Sequence, residues 1–158
     1  MPAKVTLIAV GRLKEPYWRE AADEYLKRLR PYATMQVVEV SDRDVTRNEA
    51  EAMAAEGADV LRALQTAGSS HCVALDVGGR QLSSEGLAEW LAANDLSGTS
   101  ALTFAIGGAA GLASDVLARA DERLSLGPMT LPHQMARVVL LEQLYRAFRI
   151  MRGEPYHR

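Results

Sequence analysis

Residues 101–111 read ALTFAIGGAAG, an uncharged apolar run that ends in adjacent glycines. Such a run is typical of a strand that is buried on both faces of a sheet. The glycines allow a tight turn from this strand into a following helix, because they lack a Cβ atom. Comparable apolar runs occupy residues 5–11, 35–40, 72–77 and 124–131. The sequence therefore predicts five strands, of which residues 101–106 form the clearest.

Segments of helical period separate these runs. After Pro16, apolar residues recur every three or four positions up to Leu29, with charged residues on the opposite side. Thr46 followed by Glu49 matches a capping box, which predicts a second helix from there to the break at Gly68. Further helices are expected after Ser83 or Ser84, over residues 112–120, and from about Pro132 to Arg152.

Strands that alternate with helices predict an α/β fold, with a Rossmann-like, mostly parallel sheet and helices on both faces. The length of 158 residues and the apolar fraction of 48% suit a single domain over residues 1–158. We expect the third strand to end at Gly78 and Gly79. In such sheets ligands bind outside the carboxyl ends of the strands. Those positions hold Gly11, Gly78, Gly79, Gly107, Gly108 and Gly127.

The composition argues against several classes of protein. The single cysteine, Cys72, cannot form an internal disulfide, and its apolar surroundings favour a buried, inert thiol over a nucleophile. The three histidines show no metal-ligand spacing, so we predict no metal. No apolar run approaches the roughly 20 residues that span a bilayer, and no signal-peptide pattern follows the N-terminus. We therefore expect a cytoplasmic protein without a membrane partner.

Charge is unevenly distributed along the chain. The formal net charge is −2, yet residues 133–158 carry five arginines and two glutamates. A basic patch for RNA and an ordinary solvated helix face are both compatible with this asymmetry. The same segment has two adjoining apolar stripes from Val138 onward, wider than a helix on one sheet needs. Either the helix is deeply buried, or it packs on a second copy in a homodimer, which we favour.

The motif IGGAAG, residues 106–111, is the sharpest candidate for a nucleotide contact. Paired glycines let backbone N–H groups approach a ligand, and the start of the next helix favours an anion. The motif is not a dinucleotide fingerprint, because its glycine spacing differs and it follows the fourth strand. A turn with a purely structural purpose stays an open alternative.

Three stretches occur here in a characteristic order: IGGAAG, then LGPMTLPHQMARVVLLEQLYRAFRI at residues 126–150, then PYHR at residues 155–158. Together they resemble the ribosomal RNA large subunit methyltransferase H family, which belongs to the SPOUT class of trefoil-knotted methyltransferases. The likeness covers the whole chain, including LIAVGRLKE at residues 7–15 and LDVGGRQLSSEGLA at residues 75–88. The resemblance implies that the α/β sheet carries a C-terminal trefoil knot. Ala109 and Ala110 depart from the family pattern, which points to a backbone role for this loop.

The resemblance also implies a reaction. S-adenosylmethionine would be the methyl donor, and N3 of a pseudouridine in the 23S ribosomal RNA of the assembled ribosome would be the acceptor. The resemblance further implies an obligate homodimer, in which the tail of one subunit would approach the cofactor of the other. Carried onto matching positions, the cofactor pocket would be lined by Leu75, Gly107, Gly108, Leu126, Gly127, Pro128, Met129, Thr130 and Leu131.

The terminal tail holds the predicted catalytic groups. N3 of pseudouridine carries a proton that must leave during methyl transfer, which requires a base or a group that stabilises the anion. We predict His157 as the base, because an imidazole with a pKa of about 6.5 accepts a proton near neutral pH. Arg158 would hold a phosphate or a base carbonyl, and Tyr156 would stack on the flipped base or hydrogen-bond to it.

RNA contacts are predicted for Arg137, Arg149 and His133. The two arginines would contact phosphates or form ion pairs between subunits, and His133 is a second candidate base. Two other functions remain as alternatives. A non-enzymatic, ribosome-associated RNA-binding factor would need no cofactor pocket, and another α/β nucleotide-binding enzyme would use IGGAAG for a phosphate ligand.

Overall fold

The computed structural model describes residues 4–156. Within this range five strands alternate with five helices, and the predicted α/β class is confirmed. The strands are β1 (Lys4–Val10), β2 (Thr34–Val40), β3 (His71–Gln81), β4 (Ala101–Ile106) and β5 (Glu122–Ser125). The helices are α1 (Pro16–Leu29), α2 (Glu49–Ala67), α3 (Ser84–Leu96), α4 (Ser114–Arg119) and α5 (His133–Met151).

The strands form one parallel sheet in the order β2-β1-β4-β3-β5. β1 lies inside the sheet, and its first residue, Lys4, pairs with Thr34 of β2 and with Ala101 of β4. β3 pairs with β4 on one side and with β5 on the other. Since all strands run in the same direction, their carboxyl ends meet at one edge, where parallel sheets bind ligands.

Helices cover both faces of the sheet. Val5, Leu7 and Ala9 of β1 face the layer that contains α1, α3 and α5. Ile8 and Val10 face the opposite layer, which contains α2 and α4. All five side chains are at most 2% exposed. Successive strand residues point to opposite faces, so a strand covered on both faces needs mostly apolar residues, as β1 has from Val5 to Val10 apart from Thr6.

The N-terminus of α2 differs from the predicted capping box. Asn48 is the N-cap, and its Oδ1 accepts a hydrogen bond of 3.1 Å from the backbone N–H of Glu51. Thr46 instead donates its N–H and its hydroxyl to Oδ1 of Asp44, at 2.9 and 2.6 Å. The prediction that Thr46 and Glu49 cap this helix is therefore wrong. Asp44 offers Thr46 a partner in the preceding turn, and α2 begins only at Glu49.

β3 does not end at Gly78 and Gly79 as predicted but continues to Gln81. Its register against β5 shifts between Leu75 and Arg80, so the residues between them bulge out of the ladder. A Cβ on Gly79 would lie 2.8 Å from backbone atoms of β5. Glycine here lets the strand pass close to its neighbour after the bulge, instead of terminating the strand.

α5 lies in the middle of its layer, between α1 and α3. Leu140, Leu144 and Phe148 are fully buried within the chain. Of the two explanations for the wide apolar face, deep burial therefore holds for these residues.

Cys72 lies buried in β3, and burial raises the pKa of its thiol to about 11, so the thiol stays protonated. No group of His, Cys, Asp and Glu side chains within residues 4–156 could hold a metal ion. None of the helices in that range combines the length and apolar character that a bilayer crossing requires.

Candidate active site

Three loops meet at the carboxyl edge of the sheet and enclose a cavity of about 300 Å³. They follow or interrupt β3, β4 and β5, and we call the space between them the three-loop cavity. β3 contributes Leu75, its last paired residue before the bulge, and Asp76 and Val77 of the bulge, which together line one wall. The shift of register described above therefore serves the site, because it leaves Asp76 and Val77 outside the ladder, where they line the cavity.

The glycine loop after β4 has a steric reason for its composition. A Cβ on Gly107 would lie 2.4 Å from the carbonyl carbon of Gly111. The N–H of Gly111 donates to the carbonyl of Gly108 at 3.1 Å, and Gly111 itself has a φ of 85°. The tight turn that the sequence leaves open as an alternative thus exists. The same turn lines the cavity, so the structural and the ligand-binding interpretations do not exclude each other.

The loop after β5 is held by a hydroxyl. Ser125 Oγ accepts the N–H of Gly127 at 3.1 Å and donates to the carbonyl of the same glycine at 3.0 Å. Gly127 has a φ of 123°, a conformation that disfavours any residue with a side chain. Beyond it, Met129 is 80% exposed at the cavity. An apolar side chain held in water beside a cavity offers a surface that a ligand can cover.

The structure brings together eight of the nine residues predicted to bind a cofactor. Those that line the three-loop cavity are Leu75, Gly107, Gly108, Leu126, Gly127, Met129, Thr130 and Leu131. Pro128 is exposed and does not line it. Asp76 lines the cavity but is not among the predicted residues. As the one charged residue in the apolar run CVALDV, it could have been found from its place at the end of that run.

His133 is the first residue of α5 and also lines the cavity. Its Cε1 lies 3.5 Å from the position that a Cβ on Gly11 would take, so the imidazole is close to the end of β1. Burial lowers the pKa of His133, and the nearby Arg137 lowers it further. The ring is therefore neutral at physiological pH and can accept a proton.

Arg137, one turn further along α5, is only 3% exposed. One guanidinium nitrogen donates to Glu39 at 2.6 Å, and another donates to the carbonyl of Gly11 at 2.9 Å. This position does not favour the predicted contact with an RNA phosphate, because the guanidinium is enclosed and engaged on both sides. Arg137 instead ties α5 to the ends of β1 and β2.

Arg149, at the other end of α5, holds the segment that follows the helix. It donates to Glu154 at 2.8 Å and to the carbonyl of Pro155 at 2.6 Å. It also donates to the hydroxyl of Tyr32 at 3.2 Å, and that hydroxyl donates to Glu154 at 3.0 Å. The structure thus shows Arg149 in an ion pair within its own chain. Its predicted contact with RNA or with a second subunit stays a prediction.

Tyr156 packs against α5 of its own chain and does not line the three-loop cavity. Its ring meets that of Tyr145 edge-on at 4.8 Å, and the guanidinium of Arg146 lies over it at 4.7 Å. Burial and a hydrogen bond with Tyr25 raise the pKa of Tyr156 to about 12. The phenol therefore stays protonated and can donate a hydrogen bond. His157 and Arg158, the predicted base and anion contact, lie outside the described residues.

Among residues 4–156, the titratable side chains that line the three-loop cavity are Asp76 and His133. The rest of the lining is apolar side chains, small hydroxyls and glycine backbone. Such a site can bind a largely apolar ligand by shape and backbone hydrogen bonds, with one carboxylate for a positive charge. It has one neutral imidazole as a candidate base.

Comparisons with known proteins agree with this geometry. A family model described as "Predicted SPOUT methyltransferase" matches residues 3–157. The chain is 49% identical to Ribosomal RNA large subunit methyltransferase H of Carboxydothermus hydrogenoformans, over 98% of this chain and 99% of that protein. It is 52% identical to the protein of the same name from Pelotomaculum thermopropionicum, over 97% and 98%.

Solved structures show the same fold at low sequence identity. One is described as a probable methylase family protein from Haemophilus influenzae Rd KW20, with a TM-score of 0.58, 15% identity, and coverage of 95% of this chain and 67% of that one. Another, described as a probable methyltransferase from Bordetella pertussis Tohama I, has a TM-score of 0.58 and 15% identity over 93% and 96%. The chain belongs to the SPOUT methyltransferase family and has the knotted α/β fold of these enzymes.

Proposed function

We propose that this methyltransferase transfers a methyl group from S-adenosylmethionine to N3 of a pseudouridine in 23S ribosomal RNA, acting on the assembled ribosome. The observation that carries the proposal is the three-loop cavity, formed in a chain about half identical to proteins named for ribosomal RNA methylation. A non-enzymatic RNA-binding factor would not need such a cavity. The reading as another nucleotide-binding enzyme loses its support with membership of the methyltransferase family.

The cavity fits the proposed cofactor in size and in chemistry. A volume of about 300 Å³ lies at the lower end of the range for small-molecule sites. Leu75, Leu126 and Leu131 offer apolar walls for an adenine ring, and the glycine loop offers backbone groups. Asp76 offers a carboxylate to a positively charged group. When bound, S-adenosylmethionine would supply a methyl group activated by a sulfonium.

The remaining task is to remove the N3 proton, and we assign it to an imidazole. His157 of the tail stays the proposed base, with Arg158 holding a phosphate or a base carbonyl. His133 is the second candidate, supported by its neutral ring at the cavity. Tyr156 cannot act as a base near neutral pH, because its raised pKa keeps it protonated. Its proposed part is to anchor the tail or donate a hydrogen bond.

The position of the tail supports a composite site in a homodimer. The cavity lies at the N-terminal end of α5, whereas Tyr156 is held beside Tyr145. Tyr145 is about 18 Å along the helix axis from His133, at roughly 1.5 Å rise per residue. Two residues beyond Tyr156 span at most about 7 Å. We therefore propose that the tail serves the cavity of a second subunit, in the cytoplasm where ribosomes work.

Deletion of residues 156–158 tests the tail. The expected result is loss of methyl transfer to purified ribosomes by a factor of about 1,000, because orientation and proton removal are both affected. Binding of S-adenosylmethionine, measured by calorimetry, should stay within about twofold, since the cavity keeps its walls. Mapping of the labelled nucleotide identifies the acceptor. Normal turnover by the truncated protein would contradict the tail mechanism.

Heterodimers test the composite site. One subunit lacks residues 156–158, and the other carries Gly107→Val, which blocks its cavity. Each homodimer should be inactive, while the mixture should recover activity, because one heterodimer site combines an intact cavity with an intact tail. Absence of recovery despite proven heterodimers would show that tail and cavity work within one chain.

A further inference from the structure

A second, larger depression lies beside the three-loop cavity, between the loop after β1, α1 and β2. It has a volume of about 630 Å³. Its charged lining residues are Arg12, Lys14, Arg19, Asp23, Glu39 and Arg137. We call it the basic groove, because its four cations outnumber its two carboxylates although the chain as a whole has a net charge of −2.

The loop that carries Arg12 and Lys14 is fixed at both ends. At its start, the N–H of Gly11 donates to the carbonyl of Val40 at 2.8 Å, and the carbonyl of Gly11 accepts from Arg137. At its end, Arg19 donates to the carbonyl of Lys14 at 2.7 Å. A loop held in this way presents its cations without the entropy cost of ordering a flexible segment.

Within this loop, buried and exposed residues alternate. Leu13 is 7% exposed and anchors the loop to the core. Arg12 and Lys14 on either side of it are exposed, and neither forms an ion pair with a carboxylate of residues 4–156. Glu39 is already the partner of Arg137. The two exposed cations are therefore available for an external anion.

The basic groove and the three-loop cavity share a wall. His133 lines the cavity and lies close to Gly11, while Arg137, one turn later on α5, lines the groove. An RNA strand that places one nucleotide at the cavity would carry its neighbouring phosphates past this wall. Phosphates are the anions that arginine and lysine bind most readily in RNA complexes.

We propose that the basic groove is an RNA phosphate site, in which Arg12 and Lys14 hold the backbone next to the target nucleotide. This inference rests on the proposed function, since it assigns the groove to the same RNA. In this proposal the loop after β1 contributes to the affinity for RNA, while the cavity and the tail carry out the methyl transfer. Arg137 has a supporting part only, because it is buried and fixes the loop.

The test compares two double variants with the same change of charge. The first is Arg12→Gln with Lys14→Gln. The matched control is Arg47→Gln with Arg119→Gln, which also removes two exposed cations. Arg47 lies just before α2 and Arg119 is the last residue of α4, and these two helices cover the face of the sheet opposite to the groove. Methylation of purified ribosomes that lack the modification is measured over a series of salt concentrations, together with cofactor calorimetry and gel filtration.

The groove variant should raise the KM for ribosomes about tenfold, with kcat and cofactor affinity unchanged. The slope of log kcat/KM against log salt should become shallower by about 1.4, roughly 0.7 for each lost phosphate contact. The control variant should match the wild type in its KM for ribosomes and in its salt slope. A salt slope that is the same in both double variants would overturn the proposal.

Two further outcomes would also overturn it. A groove variant with weaker cofactor binding would assign the groove to the cofactor, and one that dissociates into monomers would assign it to a subunit contact. Failure of the proposed function looks different, because the wild type itself would then leave the ribosomes unmethylated.

Discussion

The two ends of α5 differ in what they provide. At the N-terminal end, glycine backbone and apolar side chains shape a cavity with Asp76 and His133 as its titratable groups. At the C-terminal end, Arg149 forms an ion pair with Glu154, and Tyr156 packs against Tyr145 and Arg146. The N-terminal end therefore provides a ligand cavity, and the C-terminal end provides polar side chains. A helix too long for the two to meet within one chain supports the proposal that two chains combine them.

The largest effect is expected from Gly107→Val, which alters the three-loop cavity and leaves the C-terminal end of α5 unchanged. A Cβ at this position meets the backbone of Gly111 at 2.4 Å, so the glycine loop must move. Calorimetry should detect no cofactor binding, and activity should fall by more than about 1,000-fold. Gly98→Ala is the control. Gly98 has open space and a φ of 86°, so its replacement costs about 1 kcal/mol of stability without changing cofactor affinity.

Arg137→Met tests how much Arg137 contributes to folding stability at the N-terminal end of α5. The variant leaves Glu39 without its partner and the carbonyl of Gly11 without its donor. Because Glu39 is 35% exposed and can be solvated, we expect a loss of about 2 kcal/mol in the free energy of unfolding, measured with urea. A loss below about 0.5 kcal/mol would show that this link is as weak as an ordinary surface ion pair.

Arg149→Ala loosens the other end. The variant removes the hydrogen bonds of Arg149 to Glu154 and Pro155, which hold the segment before the tail, and the one to Tyr32, so the tail would be less well oriented. We expect kcat to fall about tenfold while cofactor affinity stays constant. Arg62→Ala removes a more exposed ion pair, with Asp59 on α2, and serves as the control. Equal activity of both variants would mean that the network at this end only stabilises the fold.

The smallest effect concerns His133 and pH. Burial depresses its pKa in the folded protein below the ordinary 6.5, so the unfolded chain binds more protons on acidification. Stability should fall as the pH drops from about 6.5 through the folded-state pKa. His133→Gln should reduce this fall, measured as the difference between urea midpoints at pH 7.5 and pH 5.5. An unchanged difference would show that the burial of the ring has no energetic consequence.

The sequence predicted the elements of the fold well, because they depend on local patterns. Apolar runs and helical periods place the helices and four of the five strands near their observed positions, and the loops after the strands hold most of the predicted cofactor residues. The strand predicted within residues 124–131 lies instead at Glu122–Ser125, and the rest of that run is loop. The start of α2 was harder to predict. Thr46 is the predicted cap, but it hydrogen-bonds to Asp44, and Asn48 caps the helix in its place.

The side-chain roles that depend on distant partners could not be read from spacing. In the sequence, Arg137 resembles an unpaired cation on a basic helix, but its partner Glu39 lies on β2, far away in the chain. Gly79 looks like a strand terminator until the backbone of β5 is placed beside it. In both cases the deciding contact is long-range, and only the tertiary structure supplies it.

The strand order also has a consequence for synthesis of the chain. β1 leaves the ribosome well before β4, yet the two strands are paired, from Lys4 against Ala101 to Ala9 against Ile106. At about 5–20 residues per second, β1 waits several seconds for this neighbour to be translated. During that time the apolar residues Val5–Val10 lack one of their two flanking strands. The centre of the sheet can therefore be completed only after β4 has emerged.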